Sequence, residues 1–365
     1  MSQKTALILA SILFSVLSCN IKQDKVLSVD KIYTFDSTFT NSSSLIIRED
    51  TIMFLDNKTR GTVTYNLVDV KNNIVIDSSL YKEAYSLGYA TFDSITNEYV
   101  FPIQNAQLGF QNTNGNSRVL EINSNMKFNP IIFSGLVFFQ GKDMVGVVDM
   151  STFKTIWTYP DIDGFSISQP ILINNNVIFL LSNETLVSCD FLTGAVNWTY
   201  KSNTKLQISN LYNYSDGRAY VLYTDLQNQI QIETIDIENG TLIEQKNIND
   251  SIDVWATSSI IIDDNIYCKG YDKVFVYNLN SFSKINEFSF PSLIGTKLVR
   301  YFDKVLCSTY EGRTLFVISE KGLELMNIDL DYFDIKSYMG NVYLYSYPNL
   351  YKLNNELLND LTKHN

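Results

Sequence analysis

Residues able to do chemistry are few in this sequence, and their types and spacing narrow the choice early. There is one histidine, His364, beside the C-terminus. A lone terminal imidazole cannot build a Ser-His-Asp triad or a multi-histidine metal site. The four cysteines show no zinc or iron–sulfur spacing. Acidic residues cluster at Asp161-Ile-Asp163-Gly164 and at Asp329-Leu-Asp331-Tyr-Phe-Asp334. The first has half the pattern of a calcium loop but lacks the third acidic residue and the closing glutamate, so it reads as a turn. The second alternates with apolar residues and reads as a solvated strand end. No pair of carboxylates is singled out for glycoside hydrolysis, and Gly-rich phosphate loops are absent. On these grounds no catalytic residue, metal site or cofactor is assigned, and the expectation is a protein that is not an enzyme.

Cys19 carries a different chemistry. Lys4 supplies a short positive region, Ala6–Leu17 is an apolar run too short to span a bilayer, and Val16-Leu17-Ser18-Cys19 follows directly. This arrangement resembles a bacterial lipoprotein signal, in which the cysteine becomes acylated and N-terminal after cleavage; Leu17 departs from the small residue more usual two before the cysteine. The alternative is an ordinary secretory signal with Cys19 incidental. The expected organisation is a signal peptide over 1–18, a polar lipid-anchored tether over 19–29, one folded domain over 30–360 and a short tail over 361–365. The expected location is the cell envelope, with the fold held on a membrane, the outer membrane first, by acyl chains at Cys19. A net charge of −11 without a basic stripe repels phosphate backbones and excludes nucleic acid as a partner.

The elements that would position any site repeat along the chain. Leu186–Tyr200 reads as a hairpin with one buried face: Val187 and Cys189 alternate with polar residues, Asp190 and Thr193-Gly194 form a turn, and Val196, Trp198 and Tyr200 alternate again. Aligning on Asp190 gives Asp69, Asp149, Asp236 and Asn278, each followed by an apolar residue. They are spaced by about 40 residues, with one interval of about 80 that hides a unit between Ser86 and Asn123. Two further apolar strands precede each hairpin, as Pro170–Ile173 and Val177–Leu181 do. Four short antiparallel strands per unit predict an all-β fold, a β-propeller of four-stranded blades. Eight blades fit between about 42 and 360, with seven as the alternative count. Lys31–Phe35 matches Thr155–Tyr159, so residues 30–36 are expected to close the ring as the outer strand of the last blade. Cys189, Cys268 and Cys307 lie in apolar strand contexts and read as buried small hydrophobes, with a Cys268–Cys307 bridge as the minor alternative.

Asp190-Phe-Leu-Thr-Gly194 with Trp198, the partial copy at Asp149 and Trp157, and Asp236 with Asn239-Gly240 resemble the repeat of the PQQ-like quinoprotein propellers. That resemblance implies an eight-bladed ring in which the tryptophan docks between adjacent blades. It gives Trp157 and Trp198 that structural role, with Asp149, Asp190 and Gly194 forming the turns and Tyr33 substituting in the closing blade. The enzymes of that family carry an adjacent cysteine pair, calcium ligands and an Asp base, none of which can be carried over to this chain. Signal, anchor, length and fold are instead similar to its non-enzymatic branch, typified by the propeller lipoprotein of outer-membrane β-barrel assembly. The expected function is therefore a lipid-anchored scaffold that binds an envelope protein. The alternatives are a ligand or glycan sensor using exposed tyrosines such as Tyr212 and Tyr214, and a quinone- or calcium-dependent enzyme.

Overall fold

The computed structural model describes residues 25–358 apart from short loops, of which 35–45, 83–89, 161–167 and 252–258 are the longest. The described strands form eight sheets in chain order, each with an antiparallel four-strand core. They are named here blades 1 to 8, with strands A to D from the inner to the outer edge. Blades 1 to 7 cover 46–82, 91–121, 131–160, 171–201, 208–251, 259–289 and 299–327. Blade 8 takes strands A to C from Asp334–Tyr338, Asn341–Ser346 and Asn349–Leu353 and strand D from the other end of the chain, Val29–Thr34. The chain is a β-propeller closed by its N-terminal strand.

Closure uses main-chain pairing across the whole sequence: Val29 pairs with Leu353 and Thr34 with Asn349. The Thr34 hydroxyl adds a 2.9 Å bond to the Asn349 side chain. The expected tether over 19–29 is shorter than its composition suggests, because Lys25–Val26 adds in parallel to the outer strand of blade 7, opposite Met326 and Asn327. Those two residues satisfy backbone groups on an edge that would otherwise lie open.

The hairpin also differs from its expected form. Thr185–Asp190, strand C of blade 4, is buried on both faces, with Leu186, Val187, Ser188 and Cys189 all at 0% exposure. A blade is covered by its neighbours on both sides, so alternation of residue type no longer reports which face meets water. Leu186 packs with blade 5 residues Ala219, Val221 and Ile235, whereas Val187 and Cys189 pack with Phe138, Val145 and Val147 of blade 3. Cys189, Cys268 and Cys307 are buried in three different core clusters. Burial pushes the Cys307 thiol up to about 12.

Blade 2, the unit without a recognisable turn motif, consists of Thr91–Asp93, Glu98–Ile103, Gln107–Asn112 and Ser117–Glu121. Its C–D ladder runs in unbroken register. In blades 1, 3, 4, 5 and 6 the same ladder has a bulge near its turn end, between Val147 and Val148 in blade 3 and between Ser188 and Cys189 in blade 4. The Asp or Asn turn and the bulge thus occur together, and a pattern search keyed on the turn passes over blade 2.

The closure geometry generates a test. A chain beginning at Ser42 lacks both N-terminal strands and should melt well below the chain beginning at Cys19, measured by circular dichroism; equal melting temperatures would contradict the pairing.

Candidate functional site

The residues singled out by the repeat converge at the junctions between blades. In the turn of blade 4, the Asp190 carboxylate accepts from the backbone N–H of Leu192 at 3.1 Å and of Thr193 at 2.8 Å, and from the Thr193 hydroxyl at 2.8 Å. The N–H of Gly194 donates to the Asp190 carbonyl at 2.9 Å, which closes the turn. Asp149, Asp236 and Asn278 build the same turn in blades 3, 5 and 6. Hydrogen bonds led by the Thr193 hydroxyl hold the Asp190 carboxyl below its ordinary value of 3.8, and those led by Ser151 do the same for Asp149. Both acids are committed to backbone geometry and are poor proton acceptors.

The residue four places after the turn acid adopts a left-handed conformation: φ is +72° at Gly194 and +71° at Gly240. These two glycines are seats for the indoles of the preceding blade. A Cβ on Gly194 would come within 2.5 Å of the Trp157 ring, and one on Gly240 within 2.5 Å of the Trp198 ring. Each indole N–H donates to the carbonyl of the residue after the turn acid: Trp157 to Phe191 at 2.9 Å and Trp198 to Ile237 at 2.7 Å. The same residue spends its own N–H on the A–B turn of its blade, Phe191 to Asn175 at 2.8 Å and Ile237 to Gly217 at 3.0 Å. The backbone of one residue therefore ties three segments together.

Two junctions solve the problem differently, in a way the sequence motif does not reveal. In blades 3 and 6 the left-handed position holds Phe153 and Phe282, at φ +57° and +51°. A phenylalanine there carries a steric cost of about 1–2 kcal/mol. The facing group is a cation instead of an indole: the Arg118 guanidinium lies 4.2 Å from the Phe153 ring centre, and the Lys246 ammonium 5.0 Å from that of Phe282. Arg118 pairs with Phe110, two residues before the end of its strand C, and so occupies the register that Trp157 and Trp198 hold in blades 3 and 4. Indole on glycine and cation on phenylalanine are two fillings of one junction. The only signal in the sequence was a phenylalanine where the best-preserved turn has glycine.

The Arg118 junction borders a cleft of about 370 Å³ between blades 2 and 3, lined by Thr96, Glu98, Ser134, Asp149 and Ser151 among others. Arg118 is ion-paired with the nearly buried Glu98. Asp93, at the end of strand A of blade 2, accepts from the N–H groups of Ile95 and Thr96 and from the Thr96 hydroxyl. Hydroxyls and one paired cation suit this cleft to holding a small polar group by hydrogen bonds. A second polar cluster is enclosed at the blade 4–5 junction, where the Ser202 hydroxyl donates to Glu233 at 2.8 Å. Burial, reinforced by Glu233, pushes the Tyr200 phenol well above its ordinary value.

The remaining sequence candidates do not converge on a site. Tyr33 pairs with Leu350, the register that Tyr159 and Tyr200 hold in their own blades, two ladder pairs away from the tryptophan position. Its side chain, like those of Tyr212 and Tyr214, lies outside what the structure describes, as do Cys19, Asp161–Gly164 and His364. Asp331 pairs with Arg313 at 3.0 Å on the surface, and Asp334 begins strand A of blade 8. Among the described residues, no three His, Cys, Asp or Glu side chains are grouped as a metal ion would need.

With that geometry in place, the chain can be set beside known proteins. No family model matches it, and no characterised protein matches it by sequence. Solved structures do match. BamB from Moraxella catarrhalis superposes with a TM-score of 0.68 at 14% identity, covering 89% of this chain and 99% of that one. The chain is similar in fold to BamB. The computationally designed protein Ika8 (TM-score 0.65, 12% identity, 89% of this chain and 99% of that) and Sqt1 from Saccharomyces cerevisiae (0.66, 10%, 90% and 99%) superpose almost as well. At such identities the BamB likeness concerns the propeller fold alone.

Three stability measurements follow from the junctions. Trp157→Ala should cost about 3–5 kcal/mol in chemical denaturation. Gly194→Ala and Gly240→Ala should each cost clearly more than Gly217→Ala, since Gly217 also has a positive φ (+82°) but nothing within 4 Å of an added Cβ. Arg118→Trp and Phe153→Gly should each destabilise alone yet partly restore one another when combined, with a coupling of about 0.5–3 kcal/mol in a double-mutant cycle. A pH titration adds a fourth. Because the Asp149 and Asp190 carboxyls are depressed when folded, their contribution is fully present above the unfolded value and is lost as pH falls through the folded one. Asp190→Asn should keep the turn, as Asn278 does, while flattening that acid loss; a slope equal to the parent's would count against it.

Proposed function

We propose that this protein is a lipid-anchored propeller of the bacterial cell envelope, acting as a non-catalytic scaffold that binds another envelope protein. The observation that carries this reading is the conjunction of Ser18-Cys19 behind an apolar run of signal length with a propeller fold like that of BamB. The spending of the repeated polar groups supports it. Asp149 and Asp190 hold turns, Arg118 is paired and stacked, and the two indoles lock blades, so the repeated residues offer little to a substrate. Binding by such a ring falls to the loops in which the blades differ. A small polar ligand in the cleft between blades 2 and 3 is the second reading, favoured by the hydroxyls of Thr96, Ser134 and Ser151 around it.

Three measurements test these readings. Crosslinking in the native envelope should recover one specific protein partner with the wild-type chain, and Cys19→Ala should shift the chain from the membrane to the soluble fraction; unchanged membrane association of Cys19→Ala would defeat the anchor. A thermal-shift screen with sugars and small polar metabolites that raises the melting temperature of the wild type but not of Ser151→Trp would favour the cleft instead.

A further inference from the structure

Two serines open the cleft between blades 2 and 3. Ser134 holds the left-handed position of the A–B turn of blade 3, at φ +52°. The same position is Asn174, Asp263 and Phe302 in blades 4, 6 and 7, a larger side chain in each case. Ser151 lies two places after Asp149, where Leu192, Glu238 and Asn280 follow the turn residues of blades 4, 5 and 6. Both serines line the cleft on its blade 3 side, and Glu98 and Arg118 line it from blade 2. Small residues at two independent positions of one junction leave room there for a ligand.

The polar groups around that room are only partly engaged. Glu98 is 6% exposed and ion-paired with Arg118, whose guanidinium lies on the Phe153 ring. The N–H given to Glu98 is the one hydrogen bond Arg118 makes among the described residues, so the fork keeps further N–H groups to donate. Asp149 takes its three turn bonds on Oδ1, which leaves Oδ2 able to accept. Donors and acceptors thus line one small space. An anion at Arg118 would face the Glu98 and Asp149 carboxylates, and a cation at Asp149 would face the guanidinium. Drawing Arg118 away from Glu98 would leave a nearly buried carboxylate unpaired, which is strongly unfavourable. A hydroxyl escapes both penalties, because it accepts from a guanidinium and donates to a carboxylate while remaining neutral.

We infer that this cleft holds one ring of a neutral sugar, or a polyol of that size, with one hydroxyl accepting from Arg118 and another donating to Oδ2 of Asp149. The inference rests on the second reading given above, that the cleft takes a small polar ligand, and adds the class of that ligand. A cleft of about 370 Å³ lies at the small end of the range for ligand pockets, which suits a single ring. Leu136 and Met150 supply apolar wall for the C–H groups of such a ring.

The test titrates the purified chain with glucose, galactose, mannose and inositol, and with the uronic acid and 2-amino counterparts of the three sugars, read by saturation-transfer NMR. At least one neutral probe should bind saturably, and its charged counterparts should bind more than about tenfold more weakly. Ser134→Asn combined with Ser151→Leu gives blade 3 the residues that blade 4 carries at the same positions, and should abolish binding with the circular dichroism spectrum and melting temperature unchanged. Arg118→Lys keeps a cation on Phe153, as Lys246 does on Phe282, but loses the fork, and should weaken binding about tenfold. Binding that survives the double substitution, an acid or amine bound as tightly as its neutral counterpart, or no neutral probe bound at all would overturn the inference. The metabolite screen described above tells this failure from that of the reading beneath it: a charged metabolite that stabilises the wild type but not Ser151→Trp keeps the cleft as a ligand site without the sugar, whereas no such metabolite of any charge removes the site itself.

Discussion

The ring stands on a steric fit: a flat or charged side chain on the outer strand of one blade lies against a residue held at positive φ in the turn of the next. The turn acid makes that fit available by capping its own backbone, which forces the fourth residue into the left-handed region. Glycine there leaves a flat seat into which an indole can settle, and the indole N–H then finds the neighbouring carbonyl. Phenylalanine there pays the steric cost but supplies a ring face, and a cation takes the place of the indole. Because the two halves of each junction belong to different blades, they must change together.

This economy decides where binding can occur. The residues that repeat are consumed by architecture: the Asp turns of blades 3 and 4 each sit beside a bulge in the outer ladder. Polar side chains enclosed between blades, such as Glu233 with Ser202 and Gln140 with the Leu180 carbonyl, also serve the junctions. What remains for recognition is irregular: the cleft beside Arg118, where blade 2 lacks the turn. Irregularity in a repeat fold is where surface chemistry is free to vary without loosening the ring.

Closure fixes the N-terminal strands. Val29–Thr34 completes blade 8 and Lys25–Val26 borders blade 7, so the two N-terminal strands lie on adjacent blades. Here the register of a few main-chain bonds sets where the first described strands sit on the ring.

The period, the antiparallel four-strand unit, the turn chemistry of Asp190 and the closing strand were legible in the sequence, because each depends on residues close together in the chain or on a spacing of about 40 that recurs. The face of burial in Thr185–Asp190 was not, since a strand covered by a blade on each side keeps no polar face for alternation to mark. Nor was the register of Tyr33, because the position of the bulge differs between blade 8 and blades 3 and 4. The pairing of Arg118 with Phe153 was hidden for a related reason: the partners sit in successive repeats, and each alone looks like a lost motif residue. By itself, then, the sequence determined a propeller and how its ends meet. Which side chains answer one another across the blades, and which loops gather into one surface, only the tertiary structure decided, because those contacts depend on the ring being closed.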